Sequence, residues 1–165
     1  MKLITDITEL RKPCLPCKSV REGVEIGREL LKYLEWHNKN RRQKGVGLAA
    51  NQLGFQKQVI LIYLKAPYFL INPVIIDKSS VEMTQIEGCL SLLGVEVLVK
   101  RPIWVKLKCL NLPGEQYFGP AVSDNMRLRS WSSKVQEARV VLHELEHILE
   151  GKLIIDYQGV LNEKV

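Results

Sequence analysis

Two spacings of apolar residues along the chain predict where its helices lie. Between Val20 and His37 the apolar residues fall near one face of a helix, with charged residues on the opposite face. A polar stretch ending at Gly45 then interrupts the pattern. A second helix is predicted from Lys134 to Glu150, followed by Gly151, a residue type that commonly ends helices.

Short runs rich in Val, Ile, Leu and aromatic residues predict strands between these two helices. The predicted strands run from Gln58 to Tyr63, Tyr68 to Ile76, Val95 to Val99 and Ile103 to Leu110. Asn111 to Gly119 is predicted as a turn-rich connection because it contains a Pro-Gly pair. Since the strands lie between the helices instead of alternating with them, the pattern favours an α+β fold.

Length and composition favour one compact domain over residues 1–165. Hydrophobic residues make up 46% of the 165 residues and charged residues 25%, which is typical of a globular protein. The longest apolar run, Val59 to Leu64, is too short to span a bilayer. Asp6 and Glu9 interrupt the region where a signal peptide would need an apolar core. We therefore expect a cytoplasmic protein without an export signal or a membrane span.

The formal net charge is +6, and much of the excess lies between Arg11 and Lys44, which holds ten Lys/Arg against four Glu. A solvated helix face with a basic loop explains it, and attraction to RNA or to a ribosome surface is the alternative. No nucleic-acid motif accompanies the charge, which favours the solvated face.

Cys14 and Cys17 form a C-x-x-C pair, but one such pair is only half of a zinc site. We interpret it as coincidence.

The strongest chemical signal is the stretch HELEH in the second helix. His143 and His147 are four residues apart, so both rings project from one helix face and can bind the same metal ion, with Glu144 beside it. A catalytic metal usually takes three protein ligands. The short segment after His147 offers only Asp156 and Glu163 as distant acids, so the third ligand is expected upstream.

Two upstream stretches supply candidates. In QIEGCLSLLG, Cys89 could provide a thiolate, a strong ligand for zinc or ferrous iron, although free cysteines are more often small buried apolar residues. In KGVGLAANQLG, Gln52 could donate its amide to an oxyanion, although an isolated glutamine is more often a surface loop residue. The glycines and alanines of this second stretch favour a loop beside a site over a core strand.

Together the three stretches resemble the peptide deformylase family. Its motifs are G-x-G-L-A-A-x-Q, E-G-C-L-S and H-E-x-x-H in that order, and here they read Gly45–Gln52, Glu87–Ser91 and His143–His147. The likeness extends over nearly the whole chain. It implies mixed antiparallel sheets packed around a central helix that carries the HExxH motif, plus an N-terminal helix.

The resemblance also implies a reaction and a ligand set. Cys89, His143 and His147 would bind one divalent metal, ferrous iron natively, with zinc, nickel or cobalt as substitutes. Water activated by the metal would attack the formyl carbon of N-formylmethionine on new polypeptides and release formate. Glu144 would act as general base and acid.

The remaining site residues follow from the same resemblance. The amide of Gln52 and the backbone N–H of Leu90 would stabilise the oxyanion. The substrate would contact a tight wall and an apolar methionine pocket, formed by Val46, Gly47, Gly88 and Val140. Glu87, paired with Arg101, would contact the metal ligands without binding the metal itself.

Several positions depart from the family pattern. Leu92-Leu93-Gly94 lacks an expected proline, Glu96 stands where many members have arginine, and Asn51 and Leu142 replace a common proline and glutamine. An extra loop is expected around residues 117–134, with a surface patch of Arg127, Arg129, Trp131 and Lys134. The tail offers no basic docking helix, so only transient ribosome proximity is expected. Bacterial and phage-borne sources, the latter acting in host cytoplasm, both fit.

The departures keep two other functions open. One is a metalloamidase with another small N-acyl substrate, which an acetyl- versus formyl-peptide comparison would separate. The other is a silent relative that binds nascent chains, although Glu144 and Gln52 argue against it. A zinc peptidase fits least, because Cys89 is the wrong type of third ligand and precedes the helix.

Overall fold

The structure is a computed structural model that describes residues 2–121 and 132–157, together with the backbone of Val160–Glu163. Its helices are α1 (Ile7–Leu10), α2 (Val20–Asn40) and α3 (Ser133–Leu149), with 3₁₀ turns at Ala50–Leu53 and Ile154–Asp156. Its strands are β1 (Gly47–Ala49), β2 (Val59–Tyr63), β3 (Pro67–Ile71), β4 (Val74–Lys78), β5 (Glu82–Cys89), β6 (Leu92–Pro102), β7 (Val105–Cys109), β8 (Leu112–Phe118) and β9 (Val160–Glu163).

Both long helices begin at a serine that caps them. The Ser19 hydroxyl accepts a hydrogen bond from the Glu22 N–H at 3.2 Å, and the Ser132 hydroxyl accepts one from the Val135 N–H at 3.2 Å. These oxygens satisfy N–H groups that have no partner within the first helical turn. At the other end of α3, Gly151 has a φ of +59°, as predicted for the residue that ends this helix.

The strands form three antiparallel sheets of three strands each, with orders β1-β2-β3, β4-β7-β8 and β5-β6-β9. This is a mixed α+β fold with antiparallel sheets and few helices, as the sequence pattern predicts. No described helix combines the length and the apolar composition that crossing a bilayer requires.

The β1-β2-β3 sheet is covered by a helix on each face. Along β2 the side chains alternate, with Val59 and Leu61 in the cluster that α2 completes and Ile60 and Ile62 in the cluster that α3 completes. Burial on both faces explains why β2 is apolar at every position instead of alternating with polar residues.

Small residues let α2 lie close to this sheet. A Cβ atom on Gly23 would come within 2.5 Å of the Ile71 side chain, and one on Gly27 within 2.7 Å of the Phe69 ring. The two glycines therefore determine how near the helix can approach β3.

Three sequence predictions of local structure were wrong. Tyr68 to Ile76 is not one strand, because the chain turns at Asn72 (φ +48°) and continues in another sheet as β4. The Asn72 side chain holds that turn by accepting from the Cys17 N–H at 2.7 Å and donating to the Cys17 carbonyl at 2.9 Å. The predicted connection from Asn111 to Gly119 is largely β8, and Gly47–Ala49 in the predicted loop is β1.

The expected surface patch and the C-x-x-C pair have different outcomes. Arg127, Arg129 and Trp131 of the expected patch fall outside the described residues, whereas Lys134 lies in the first turn of α3, 3.5 Å from Glu137. Cys14 and Cys17 are both buried, and they belong to the separate apolar clusters of α3 and α2 respectively.

Candidate active site

Two elements bring the predicted metal ligands together. His143 and His147 lie on α3, and Cys89 is the last residue of β5 before the turn to β6. One sulfur and one ring nitrogen from each histidine lie within 4.8 Å of one another, and no second group of this kind occurs in the described ranges.

The donor set fits a divalent metal. A tetrahedral ion with metal–sulfur and metal–nitrogen distances of about 2.3 and 2.0 Å places those two ligand atoms about 3.5 Å apart. The Cys89 Sγ and His147 Nε2 atoms are 3.4 Å apart. Cys89 and His147 are buried, and His143 is partly exposed, so an ion there would be shielded yet reachable from one side.

A buried carboxylate holds the ring of His143. The Glu87 Oε2 atom lies 3.0 Å from His143 Nδ1, so Nδ1–H can donate to it and leave Nε2 for a metal. Arg101 donates to both Glu87 oxygens at 2.7 and 2.8 Å. Arg139 Nη1 donates to Glu87 Oε1 at 2.6 Å. Although burial favours the neutral acid, the hydrogen bonds from His143 and Arg101 hold the pKa of Glu87 far below its usual range.

The two histidines differ in their electrostatic surroundings. Burial, together with the positive charges of His143 and Arg101, lowers the pKa of His147 well below its usual value and keeps that ring neutral. Burial acts the same way on His143, but hydrogen bonds to Cys89 and Glu87 outweigh it and raise the pKa of His143. A metal ion would therefore compete with a proton at His143 more than at His147.

Glu144 is buried beside the ligands, and the positive charges of His143 and Arg101 offset that burial only in part. Its buried Oε2 atom has no hydrogen-bond partner among the described residues. Burial is the main reason that the pKa of Glu144 rises from its ordinary 4.5 to about 7. Gly47 forms the wall next to this carboxylate, since a Cβ atom there would lie 2.6 Å from Glu144 Oε1. Such a carboxyl can exchange a proton near neutral pH.

The 3₁₀ turn after β1 holds the side chain of Gln52 in one orientation. The Ala49 N–H donates to Gln52 Oε1 at 2.8 Å, which turns the amide nitrogen toward the cysteine end of the site. Gln52 Nε2 lies 3.0 Å from Ser91 Oγ and 3.5 Å from Cys89 Sγ. An amide donor is thereby fixed within the site.

Asn51, one of the departures from the family pattern, joins three parts of the chain. It is fully buried, and its Nδ2 atom donates to the Leu10 carbonyl at 2.8 Å and to the His147 carbonyl at 2.9 Å. It therefore ties the end of α1 to the helical residue that supplies one ligand.

A cavity of about 250 Å³ opens onto this group of residues. All four residues predicted to contact substrate line it: Val46, Gly47, Gly88 and Val140. The cavity is not purely apolar, because Lys44, Gln136 and Arg139 line it as well. A Cβ atom on Gly88 would meet only ordinary contacts at 3.6 Å and beyond, so no close backbone approach requires that glycine.

The departures at Leu92–Gly94 and Glu96 lie on β6, the strand paired with the one that carries Cys89, whereas Leu142 is buried in the apolar cluster of α3. Leu93 is 63% exposed, and Gly94 has a φ of +80°. Glu96 is exposed and pairs in register with Gly88, the cavity-lining residue on β5. The next pair in the register is Cys89 with Leu92, so three residues of β6 between Leu92 and Glu96 have no partner on β5.

Sequence reasoning missed Arg139 and Ser91. A signal for Arg139 was present, because it lies four residues before His143 and so shares a helix face with both histidines. A cation on the ligand-bearing face of a buried helix needs an acidic partner. Nothing in the sequence indicated that Ser91 would contact Gln52.

Comparisons with known proteins agree on one family. A family model described as polypeptide deformylase matches residues 3–163. A relative from Dictyoglomus thermophilum named peptide deformylase is 36% identical over 161 residues, covering 93% of this chain and 92% of the relative. A peptide deformylase from Rickettsia typhi is 36% identical over 132 residues, covering 73% of this chain and 68% of the relative.

Solved structures give the same picture. A probable peptide deformylase from Synechococcus phage S-SSM7 is 29% identical with a TM-score of 0.73, over 95% of this chain and 99% of that one. A class I type b peptide deformylase from Acinetobacter baumannii, crystallised with Met-Ala-Ser bound, is 25% identical with a TM-score of 0.71. That match covers 95% of this chain and 98% of the other.

Proposed function

The chain belongs to the peptide deformylase family and is an enzyme that removes the formyl group from N-formylmethionine, and on this premise we propose how its residues perform the reaction. The observation that carries the proposal is the convergence of three ligand atoms within 4.8 Å, in a cavity that also holds Glu144 and Gln52.

Cys89, His143 and His147 would hold one divalent metal, which would supply Lewis-acid chemistry for the formyl carbonyl and for water near neutral pH. We expect ferrous iron as the native metal, with zinc, nickel or cobalt as substitutes, because a thiolate and two imidazoles suit all of them. Glu87 orients His143 from the side opposite its ligand nitrogen.

Glu144 moves the proton. With its carboxyl buried beside the three ligands, Glu144 would accept a proton from the attacking water and return it to the departing amine. The close approach of Gly47 keeps the carboxylate against the cavity wall.

Gln52 and Leu90 receive the developing negative charge. The Gln52 amide is already oriented by the Ala49 N–H at its oxygen end, so its nitrogen has only to exchange the 3.5 Å contact with Cys89 Sγ for the formyl oxygen. The backbone N–H of Leu90, at the turn after Cys89, is the second donor.

The cavity walls select a small acyl group on a methionine. Gly45 is close-packed, since a Cβ atom there would come within 2.6 Å of Leu34 and 2.7 Å of Leu90. We propose that this glycine-rich wall selects formyl by excluding larger acyl groups. Val46, Gly88 and Val140 contact the methionine residue.

We infer that α3 is the central support of a single domain, since it packs against strands of all three sheets.

The partners follow from this reaction. The substrates are N-formylmethionyl chains emerging from synthesis, and contact with the ribosome is transient.

The test is formate release from formyl-Met-Ala-Ser by protein purified without oxygen, with metal analysis of the same sample. We expect about one metal per chain. Glu144→Gln should lower kcat by about 10²–10⁴-fold, as for loss of a general base. Gln52→Ala should lower it by about 10²–10³-fold. Glu150→Gln, at the exposed end of the same helix, is the matched control and should leave the rate unchanged.

The same assay separates the other functions that the departures keep open. Acetyl-Met-Ala-Ser should not be cleaved if the wall at Gly45 and Gly47 excludes the added methyl group as proposed. Cleavage of the acetyl peptide at a comparable rate would identify a metalloamidase of broader acyl specificity. Metal at one per chain without formate release would identify a silent relative.

A further inference from the structure

The three ligand atoms come from two elements, so something must hold α3 and β5 at the right separation. We propose that Arg139 is a positioning residue that fixes α3 against the β5–β6 hairpin and thereby sets Cys89 relative to His143 and His147. This inference rests on the metal-dependent function proposed above.

The contacts of Arg139 reach both strands of the hairpin. Nη1 donates to Glu87 Oε1 at 2.6 Å on β5 and to the Val99 carbonyl at 3.0 Å on β6. Nη2 donates to the Met83 carbonyl on β5. One side chain from α3 therefore bonds three acceptors on two strands, and it is 4% exposed, so water does not compete for them.

These contacts lie next to the ligands on both elements. Arg139 is one helical turn before His143, and Glu87 is two residues before Cys89 on β5. Glu87 Oε2 also faces His143 Nδ1 at 3.0 Å, so the same carboxylate receives Arg139 and the ligand histidine. A shift of α3 along the hairpin would break the Arg139 bonds and the ligand geometry together.

An arginine suits this task better than other side chains. Its planar guanidinium presents donors in fixed directions, which matches a carboxylate and two carbonyls at once, whereas a lysine ammonium is a single point charge. Within the part of the chain that the structure describes, Nη1 and Nη2 have acceptors, whereas the buried Nε atom has none.

The test compares Arg139→Met and Arg139→Lys with the parent protein. Cobalt affinity is measured by competition with a chelator, ligand geometry by the visible absorption of the cobalt protein, and activity by kcat and KM separately. We expect Arg139→Met to bind cobalt about 10–100-fold more weakly, the range for losing a contact that orients ligands, with an altered spectrum. Arg139→Lys should fall between the two.

Tyr68→Phe is the matched control. It removes another bond between α3 and a sheet, from Tyr68 Oη to Glu137 at 3.0 Å, without touching Glu87. It should keep the parent's cobalt affinity and spectrum. If Arg139→Met does not fold, Arg139→Lys decides, because it retains the charge.

The outcomes separate this inference from the proposed function. A parent protein without bound metal or formate release would overturn the function itself. Variants with the parent's cobalt affinity and spectrum would overturn the role of Arg139. A raised KM with unchanged cobalt binding would also overturn it, since Arg139 would then act only as part of the cavity wall.

Discussion

Replacing Gly47 with alanine tests whether close packing against Glu144 is needed for catalysis. A Cβ atom at this position would lie 2.6 Å from Glu144 Oε1 and 2.9 Å from Val140 Cγ1. Both distances are shorter than van der Waals contact. The residue has ordinary negative or extended backbone angles, so the added methyl group, and not backbone strain, is the perturbation.

The expected effects of Gly47→Ala on stability and on kcat depend on which neighbouring atoms the added methyl group displaces. Overpacking a close-packed interior by one methyl group costs about 1–3 kcal/mol of folding free energy. The carboxylate of Glu144 is the more mobile neighbour, so we expect it to be displaced from the cavity wall. A misplacement near 1 Å can lower a catalytic rate by about 10²-fold. We therefore expect kcat to fall more than stability alone would explain.

The assay combines formate release with urea unfolding of Gly47→Ala and Gly88→Ala. Gly88 lines the same cavity, but a Cβ atom there would meet its nearest neighbour at 3.6 Å. Gly88→Ala should therefore unfold like the parent or be slightly more stable. If Gly47→Ala kept the parent's kcat within twofold and unfolded at the same urea concentration, the packing argument for Glu144 would be refuted.

Three further predictions concern the buried polar groups. Asn51→Ala should lower stability by about 1–3 kcal/mol in urea unfolding, because it removes the buried amide that donates to the Leu10 and His147 carbonyls. In metal-free protein the raised pKa of Glu144 means that folded chains keep a proton that unfolded chains lose between pH 4.5 and about 7, so stability falls as pH rises. Metal-free Glu144→Gln should then exceed the parent by up to about 3 kcal/mol at pH 8 and match it at pH 4. Added zinc should raise the melting temperature of the parent but not of Cys89→Ala, since binding only to the folded state stabilises it.

The elements that the sequence predicted well are those with a long, one-sided pattern. α2 and α3 each bury one face over several turns, so a period of 3.6 residues is visible without knowing what covers it. β2 was visible for a different reason, because helices on both faces make it apolar throughout.

The errors occurred where a local signal was overridden by pairing across the sheet. β8 contains Pro113 and Gly114, residues that ordinarily predict a turn, yet its backbone pairs with β7 from Val105 opposite Phe118 onward. β1 is three residues of glycine, leucine and alanine, which carry little strand propensity. Its position between β2 and α3, and not its composition, makes it a strand.

The candidate site could be identified from sequence because its motifs are local, but its supporting contacts are not. The pairing of Glu87 with Arg101 was predicted, and the structure confirms the contact. The contact of Arg139 with Glu87 joins residues 52 positions apart, which no spacing rule connects. The assigned roles of the catalytic residues stay predictions until the variants are measured.

The buried charges around Glu87 are better explained by geometry than by stability. Removing carboxylates and guanidinium groups from water is costly, and apolar side chains of similar volume often replace buried ion pairs at no loss of stability. Apolar side chains, however, cannot accept the Nδ1–H of His143. The Glu87 carboxylate, held by Arg101 and Arg139, fixes that ring and leaves its other nitrogen for a metal. The charged cluster therefore makes this region less stable than apolar side chains could make it, and it gives the ligand histidine a single orientation.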